Sequence, residues 1–341
     1  MLPPFGWTTA LTQWQSAPAV TALVLLFAAL YLWGTVRVAK RHPARPWPVW
    51  RTSLFLAGLA VIVIGTESGV GTYDDVLFWD HMVQHLILIM VAPPLLIAGQ
   101  PITLLLHASR NPVHTWTKRV VRSKVASFLT WPVFGILAYA AVIVVAHLSA
   151  FASYADTNRV AHDLEHAAFL IVGYLFFLPI IGREPIRWRL SYPVRFVILV
   201  LIMPVDTFTG LVLGYGSASS PGVPTGPRPI WAPAPVQDLH QGGAIMWIAG
   251  DGLMFGLMMF VFLMWSQDDR AAVSGHGWFE QARRENLAAL VGSHPGPPDA
   301  DAASPASKPQ ATRGGIDDDE HLAAYNAYLA RLNQPPKAGT N

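Results

Sequence analysis

Seven long apolar segments dominate this sequence and constrain its fold more than any other feature. A helix needs about 20 predominantly apolar residues to cross a hydrocarbon layer roughly 30 Å thick. Segments of this kind lie at about 18–36, 49–66, 77–98, 125–148, 160–181, 192–215 and 239–265. Because an unpaired backbone polar group is costly in lipid, each segment should be helical. The sequence therefore predicts an all-α, polytopic membrane bundle of about seven transmembrane helices.

The composition agrees with this fold class and excludes several kinds of site. Hydrophobic residues make up 52% of the chain and charged residues only 13%, which is typical of a membrane protein. A formal net charge of +2 is too near balance to indicate a nucleic-acid partner. The chain has no cysteine, so disulfides, iron–sulfur clusters and thiolate metal sites are excluded. Any metal site must use histidine, methionine or carboxylate ligands.

Basic residues alternate between connections, and this alternation predicts the orientation. Lys and Arg cluster after the first, third and fifth segments, whereas the connections at 67–76 and 149–158 contain none. By the positive-inside rule, the amino terminus is expected outside and the carboxyl terminus in the cytoplasm. Residues 1–17 lack the basic region of a cleaved signal peptide, so the first segment is interpreted as a retained span.

A change in composition after Trp265 predicts a domain boundary. We expect a membrane domain at 1–266 and a cytoplasmic tail at 267–341. Within the tail, the Pro-, Ala- and Ser-rich stretch at about 291–315 indicates a flexible linker. An acidic start followed by spaced leucines predicts a short helix at about 317–333.

Six of the twelve histidines fall at the outer ends of predicted spans. They are His81, His85, His147, His162, His166 and His240. Two pairs are spaced four residues apart, so the rings of each pair share a helix face. At 1.5 Å of rise per residue, the six occupy one layer roughly 10 Å thick. A single interfacial histidine is usually just a solvated group, but six at one depth predict a metal site.

Acids and thioethers near this layer suggest how such a site would be supported. Asp80, Glu165 and Asp206 are candidates to orient the imidazoles, because a metal-bound histidine usually donates its second N–H to a carboxylate or carbonyl. Met203 and Met246 are the methionines placed to approach the layer from below. Imidazole with thioether favours copper, although the spacing alone leaves zinc and haem iron open.

Two consecutive prolines, Pro93 and Pro94, interrupt the third predicted span. They remove two backbone donors, so the helix is expected to kink and release carbonyls near Ile89 and Met90. Such a kink would open a pocket beside His81 and His85, or serve only to shape the packing.

Several motifs together resemble the CtaG family of multi-span cytochrome c oxidase assembly factors, which are associated with caa-type oxidases. Residues 81–85 (HMVQH), 92–96 (APPLL) and 99–101 (GQP) are similar to the family's signature span. Residues 162–166 (HDLEH) resemble its second histidine-bearing span, and 238–247 (DLHQGGAIMW) its last span. The likeness covers about 20–265, and the tail is similar to that of actinobacterial members.

This resemblance implies a bacterial plasma-membrane protein that is not an enzyme and that helps to mature the copper centre of the oxidase. We expect His81, His85, His162 and His166 to bind or deliver copper on the extracytoplasmic side, with His147 and His240 assisting. The implied partners are the lipid bilayer, the oxidase subunits and other copper-handling proteins.

Two other functions remain open at this level. The pattern His162-x-x-Glu165-His166 matches that of inverted zincins, in which two histidines bind zinc and the glutamate acts as general base. This interpretation predicts a membrane metallohydrolase but leaves the His81–His85 pair unexplained. The other alternative is a haem b electron carrier with axial histidines from two spans.

Overall fold

The computed structural model describes residues 2–224 and 228–292, with side chains described as far as residue 268. Throughout these residues the regular structure is helical. The first half contains α1 (Trp7–Thr12), α2 (Pro18–Arg41), α3 (Val49–Glu67), α4 (Gly69–Tyr73), α5 (Phe78–Leu86), a π-helical segment (Ile87–Val91), α6 (Ala92–Ala98) and α7 (Pro101–Ala108). The second half contains α8 (Val113–Val121), α9 (Lys124–Leu129), α10 (Pro132–Leu148), α11 (Ala150–Thr157), α12 (Arg159–Ile181), α13 (Tyr192–Gly214) and α14 (Pro235–Gly292).

Within the described residues, six helical stretches are long and apolar enough to cross a membrane. They are Pro18–Arg41, Val49–Tyr73, Phe78–Ala108, Arg159–Ile181, Tyr192–Gly214 and Pro235–Asp268. A seventh span results if α10 and α11, which meet at an angle of 71°, are taken together. The predicted all-helical class and the count of about seven spans are confirmed.

The fourth span begins later than its hydropathy suggests. The hydropathy pattern predicts a span that begins at about residue 125. In the structure, α10 begins at Pro132, and residues 124–129 form the separate helix α9. Proline disfavours the α-helical conformation in the residue before it, and Trp131 is extended, with φ −69° and ψ 126°. The Trp131-Pro132 step therefore separates two helices that the apolar pattern runs together.

The prolines of the third span produce a π-helical segment. Residues Ile87–Val91 form this wider turn immediately before α6, where Pro93 and Pro94 provide no backbone N–H. The Ile89 carbonyl faces α12 at Gly173, where an added Cβ would lie only 2.3 Å from the carbonyl oxygen. The third and fifth spans thus approach each other closely at Ile89 and Gly173, which follow the histidines along each span.

Two hydrophobic clusters hold the spans together. The larger joins the third span to α10, α12, α13 and α14, with Tyr139, Phe169, Phe176 and Phe177 among its fully buried side chains. The smaller joins α2 and α3 to α6 and α7, where Tyr31 stacks on Phe55 with 4.0 Å between ring centroids. The core is therefore richest on the side of the bundle that carries the histidines.

The described part of the carboxyl-terminal region consists of the long helix α14. Helix α14 continues through the proposed boundary at 266 as far as Gly292. The chain separates into two compact units, Met1–His276 and Gly277–Asn341. The helix predicted at 317–333, and the linker beyond Gly292, lie outside the described residues and stay predictions.

Replacing Gly173 by alanine should destabilise the bundle, because the new methyl group would collide with the Ile89 carbonyl. Overpacking of this kind typically costs about 1–3 kcal/mol, so the melting temperature of detergent-solubilised protein should fall. Gly256→Ala is the matched control, since a methyl group added there would meet nothing within 4 Å. A Gly173→Ala protein that melts with the control would contradict this packing.

Candidate metal centre

Five of the six predicted histidines converge in one cluster. Helix α5 supplies His81 and His85, whose ring centroids are 4.0 Å apart, and α12 supplies His162 and His166, which are 4.2 Å apart. The two pairs face each other, with 5.2 Å between the rings of His81 and His162 and 5.8 Å between those of His85 and His166. His147 adjoins the cluster from α10.

An aspartate from the last span fixes the helix that carries His81 and His85. The backbone N–H groups of Phe78 and Trp79 donate to Asp238, at 2.9 and 3.0 Å. Arg228 also donates to this fully buried carboxylate. Because the first amides of a helix otherwise lack partners, Asp238 sets where α5 begins and which way its histidines point.

A local cap fixes the start of the helix that carries the second histidine pair, and an aromatic ring of the same helix packs on the first pair. The Asn158 side chain accepts hydrogen bonds from the amides of Val160 and Ala161, at 3.0 and 3.1 Å, and so starts α12 next to His162. One turn below the pair, Phe169 stacks on His85 with 4.0 Å between centroids. The cap fixes the start of α12, and the stacking restricts rotation of the His85 ring.

A chain of hydrogen bonds determines which nitrogen of His85 is free. The Nδ1 of His147 lies 2.7 Å from the Ile143 carbonyl oxygen and must donate to it. In neutral His147, Nε2 is then an acceptor, and it lies 3.2 Å from His85 Nδ1. His85 therefore carries its proton on Nδ1 and presents the lone pair of Nε2. With both of its nitrogens engaged, His147 is better suited to orient His85 than to be the ligand that the sequence predicts.

The free nitrogens of the α5 pair face the glutamate between the α12 pair. Glu165 Oε2 lies 3.9 Å from His85 Nε2 and 4.0 Å from His81 Nε2. Ligand atoms of His81, His85 and Glu165 all lie within 4.8 Å of one another. Bonds of about 2.1 Å in tetrahedral geometry would place ligand atoms about 3.4 Å apart, so a small contraction would close this set around an ion.

A second set of possible ligands overlaps the first at His81. It comprises Asp74, His81, His162 and His166, again with ligand atoms within 4.8 Å. His162 Nε2 lies 3.3 Å from His81 Nδ1 and 3.9 Å from Asp74 Oδ2. The cluster therefore offers two adjoining positions for a cation.

Asp74 was missed from the sequence because it lies in the short connection before α5 rather than in a span. Burial raises the pKa of its carboxyl to about 8, and the neighbouring Asp75 adds to the increase. The signal available beforehand was the Asp74-Asp75 pair in a connection without basic residues.

Several polar atoms of the cluster are buried without a partner among the described residues. They include His85 Nε2, His166 Nε2, Glu165 Oε2 and Asp80 Oδ2. A buried polar atom without a partner is costly and calls for an explanation. His85 and Glu165 belong to the first set of possible ligands and His166 to the second, and free atoms of this kind fit a bound cation.

The other predicted site residues have contacts of their own. His240 Nε2 lies 2.8 Å from the Gly216 carbonyl oxygen. Asp206 is fully buried and accepts a hydrogen bond from the Tyr139 hydroxyl at 3.2 Å. Met203 and Met246 pack in or against the larger hydrophobic cluster. Their proposed roles at a metal, like that of Asp80, stay predictions.

Asp238→Ala should destabilise the start of α5 and, with it, the histidine cluster. The substitution removes two capping hydrogen bonds and leaves Arg228 buried without its carboxylate. Loss of a cap costs about 0.5–2 kcal/mol, and an unpaired buried charge costs more, so thermal unfolding should shift down clearly. Asp238→Asn, which keeps one acceptor, should be intermediate, and exposed Asp163→Ala should melt like the parent. Equal melting of Asp238→Ala and Asp163→Ala would contradict the capping role.

Comparison with known proteins gives one family and three similar relatives. Residues 29–268 match a family model described as cytochrome c oxidase caa3 assembly factor. Uncharacterized proteins of Mycobacterium bovis and Mycobacterium tuberculosis are each 30% identical over 274 residues, and one of Mycobacterium leprae is 31% identical over 271. Each alignment covers 77% of this chain but 41% of the relative, so the chain spans about two fifths of their length. No solved structure matches.

Proposed function

We infer the role of this chain from one premise: it belongs to the family of cytochrome c oxidase caa3 assembly factors, as its motifs predicted. We propose that it is a multi-pass protein of the bacterial plasma membrane and binds copper at the histidine cluster. It would receive the ion on the extracytoplasmic side, from solution or from other copper-handling proteins. It would then deliver the ion to oxidase subunits as cargo rather than use it as a catalyst.

The observation that carries this proposal is the set of unpartnered buried atoms on α5 and α12. His85 Nε2, His166 Nε2 and Glu165 Oε2 have no hydrogen-bond partner among the described residues. Imidazole nitrogen is a good copper ligand, and a carboxylate adds charge neutralisation. Overlapping ligand sets also suit a cargo ion, because His81 belongs to both and can remain bound while the other ligands are exchanged.

The position of the Glu165 carboxylate bears on the alternative that the chain is a metallohydrolase. A general base must remain free to take a proton from a metal-bound water, whereas Glu165 lies 3.9–4.0 Å from both α5 histidines, as one more ligand would. The short separations of the imidazole rings likewise favour an ion over a haem macrocycle between them. Copper handling without catalysis accounts for both histidine pairs.

Copper binding should depend on the α5 pair. The full chain, purified in detergent, should bind Cu(I) in competition with a chromophoric chelator, and the double variant His81→Ala/His85→Ala should lose more than about 100-fold in affinity. His147→Ala should weaken binding about 10–100-fold without abolishing it, since His147 only orients His85. His42→Ala, at the exposed end of α2, is the control and should bind as the parent does.

Either of two results would contradict the copper assignment. One is equal copper affinity in the parent and the His81→Ala/His85→Ala protein, which would place copper elsewhere. The other is tight zinc binding by the parent with no detectable copper binding, which would favour a metallohydrolase with Glu165 as its general base.

The proposed orientation can be tested by cysteine labelling, because the chain has no cysteine of its own. Single exposed replacements are available on both predicted sides, at Ala218 and Ala44. In intact cells, Ala218→Cys should react with a membrane-impermeant maleimide, and Ala44→Cys should react only after the cells are broken. The reverse pattern would place the histidine cluster on the cytoplasmic side.

A further inference from the structure

A large groove lies beside the histidine cluster, in the membrane-spanning part of the chain. It has a volume of about 710 Å³ and is lined by residues of α2, α3, the third span and α12. Much of its wall is apolar, with Leu23, Val24, Phe27, Leu59, Leu88 and Leu170 among the lining side chains. Sites for small organic ligands are typically apolar cavities of about 300–1,000 Å³, so the groove can hold a ligand-sized apolar body.

The groove has a polar end as well as apolar walls. Gln15, Asp74, Gln84, Arg159, His162 and His166 also line it. His162 and His166 belong to the metal cluster, so the polar end adjoins the histidines. A cavity with this division fits an amphiphile whose tail lies among the spans and whose head group reaches the cluster.

The charges at the polar end argue against an anionic head group. Among the described residues that line the groove, Arg159 is the sole arginine or lysine, and it lies 3.9 Å from Asp75 in an ion pair. Asp163 adds a further carboxyl group. A phosphate there would face these acids without a spare cation to bind it, and such a juxtaposition is unfavourable. The head group that fits is neutral.

The free hydrogen-bonding atoms indicate that the head group donates. Gln84 is 1% exposed, and its Nε2 donates to the Gly65 carbonyl at 2.9 Å. Its Oε1 is buried with no partner among the described residues, and so is His166 Nε2. An amide oxygen can only accept hydrogen bonds, so the atom that would satisfy Gln84 carries a proton.

We propose that this groove binds a neutral amphiphile with a hydroxyl-bearing head group, which donates a hydrogen bond to the buried oxygen of Gln84. A membrane quinol and a diacylglycerol share this chemistry. The proposal does not depend on copper, because it uses the groove and the unpartnered oxygen of Gln84 rather than a bound ion. An occupant would lie against His162 and His166 and close the membrane-facing side of the cluster.

The decisive comparison uses two ligands of the same shape that differ by two electrons and two protons, so that one carries hydroxyl groups where the other carries carbonyl groups. Decyl-benzoquinol and decyl-benzoquinone would be titrated by calorimetry into the chelator-treated full chain in detergent, with no metal present. The quinol should bind about tenfold more tightly, because the quinone cannot donate to Gln84 and leaves that acceptor buried and unsatisfied. Equal affinity for the two forms, or no binding of either, would overturn the proposal.

Three variants test whether the quinol binds in this groove. Ala167, on α12, lines the groove and is exposed, so Ala167→Trp should fill the space and weaken quinol binding at least tenfold without disturbing the core. Exposed Ala141→Trp on α10, outside the groove lining, is the matched control and should bind as the parent does. Gln84→Leu should remove the preference for quinol over quinone. Unchanged binding by Ala167→Trp would overturn the proposal.

The same measurement separates the two sources of the hydroxyl group. Dioctanoylglycerol that displaces the quinol would support a site for neutral lipid alcohols in general. Failure to displace it would support a site specific for quinols. Since all samples are free of metal, loss of copper binding in the histidine variants has no influence on these outcomes.

Discussion

The need to pair buried polar atoms governs this molecule, because its spans are long and apolar and an unpaired polar atom in lipid is costly. At several other places in the bundle the need is met by capping and by side-chain hydrogen bonds. Glu184 accepts from the amides of Ile102 and Thr103 at the start of α7, as Asp238 does at the start of α5. The Asp206 carboxylate receives the Tyr139 hydroxyl. Against this background the unpaired atoms of His85, Glu165 and His166 mark the place where a ligand is expected.

The seven spans were predictable because hydropathy and length decide them in a bilayer, with little help from tertiary contacts. What hydropathy could not give was the local course of the chain at prolines. Pro132 starts a new helix inside an apolar run, and Pro93 and Pro94 are accommodated by a π-helical segment. Both depend on backbone geometry over a few residues, to which an average over twenty residues is insensitive.

The cluster was predictable to the extent that helix periodicity and depth determine position. Spacing by four placed His81 with His85 and His162 with His166, and their common depth brought the two pairs together. The contacts of His147 and His240 depend on rotamers and on where a loop carbonyl lies, and neither can be deduced from spacing. Asp74 joins the cluster through a turn between two spans, and no helical pattern extends to it.

The capping of α5 by Asp238 links residues 160 positions apart in the chain. The helix that carries His81 and His85 therefore lacks its amino-terminal partner while the nascent chain is still being inserted. Only when the last span has entered the bilayer can the first turn of α5 be fixed and its imidazoles take up their final orientation. The order of synthesis thus delays completion of the cluster until the bundle around it has formed.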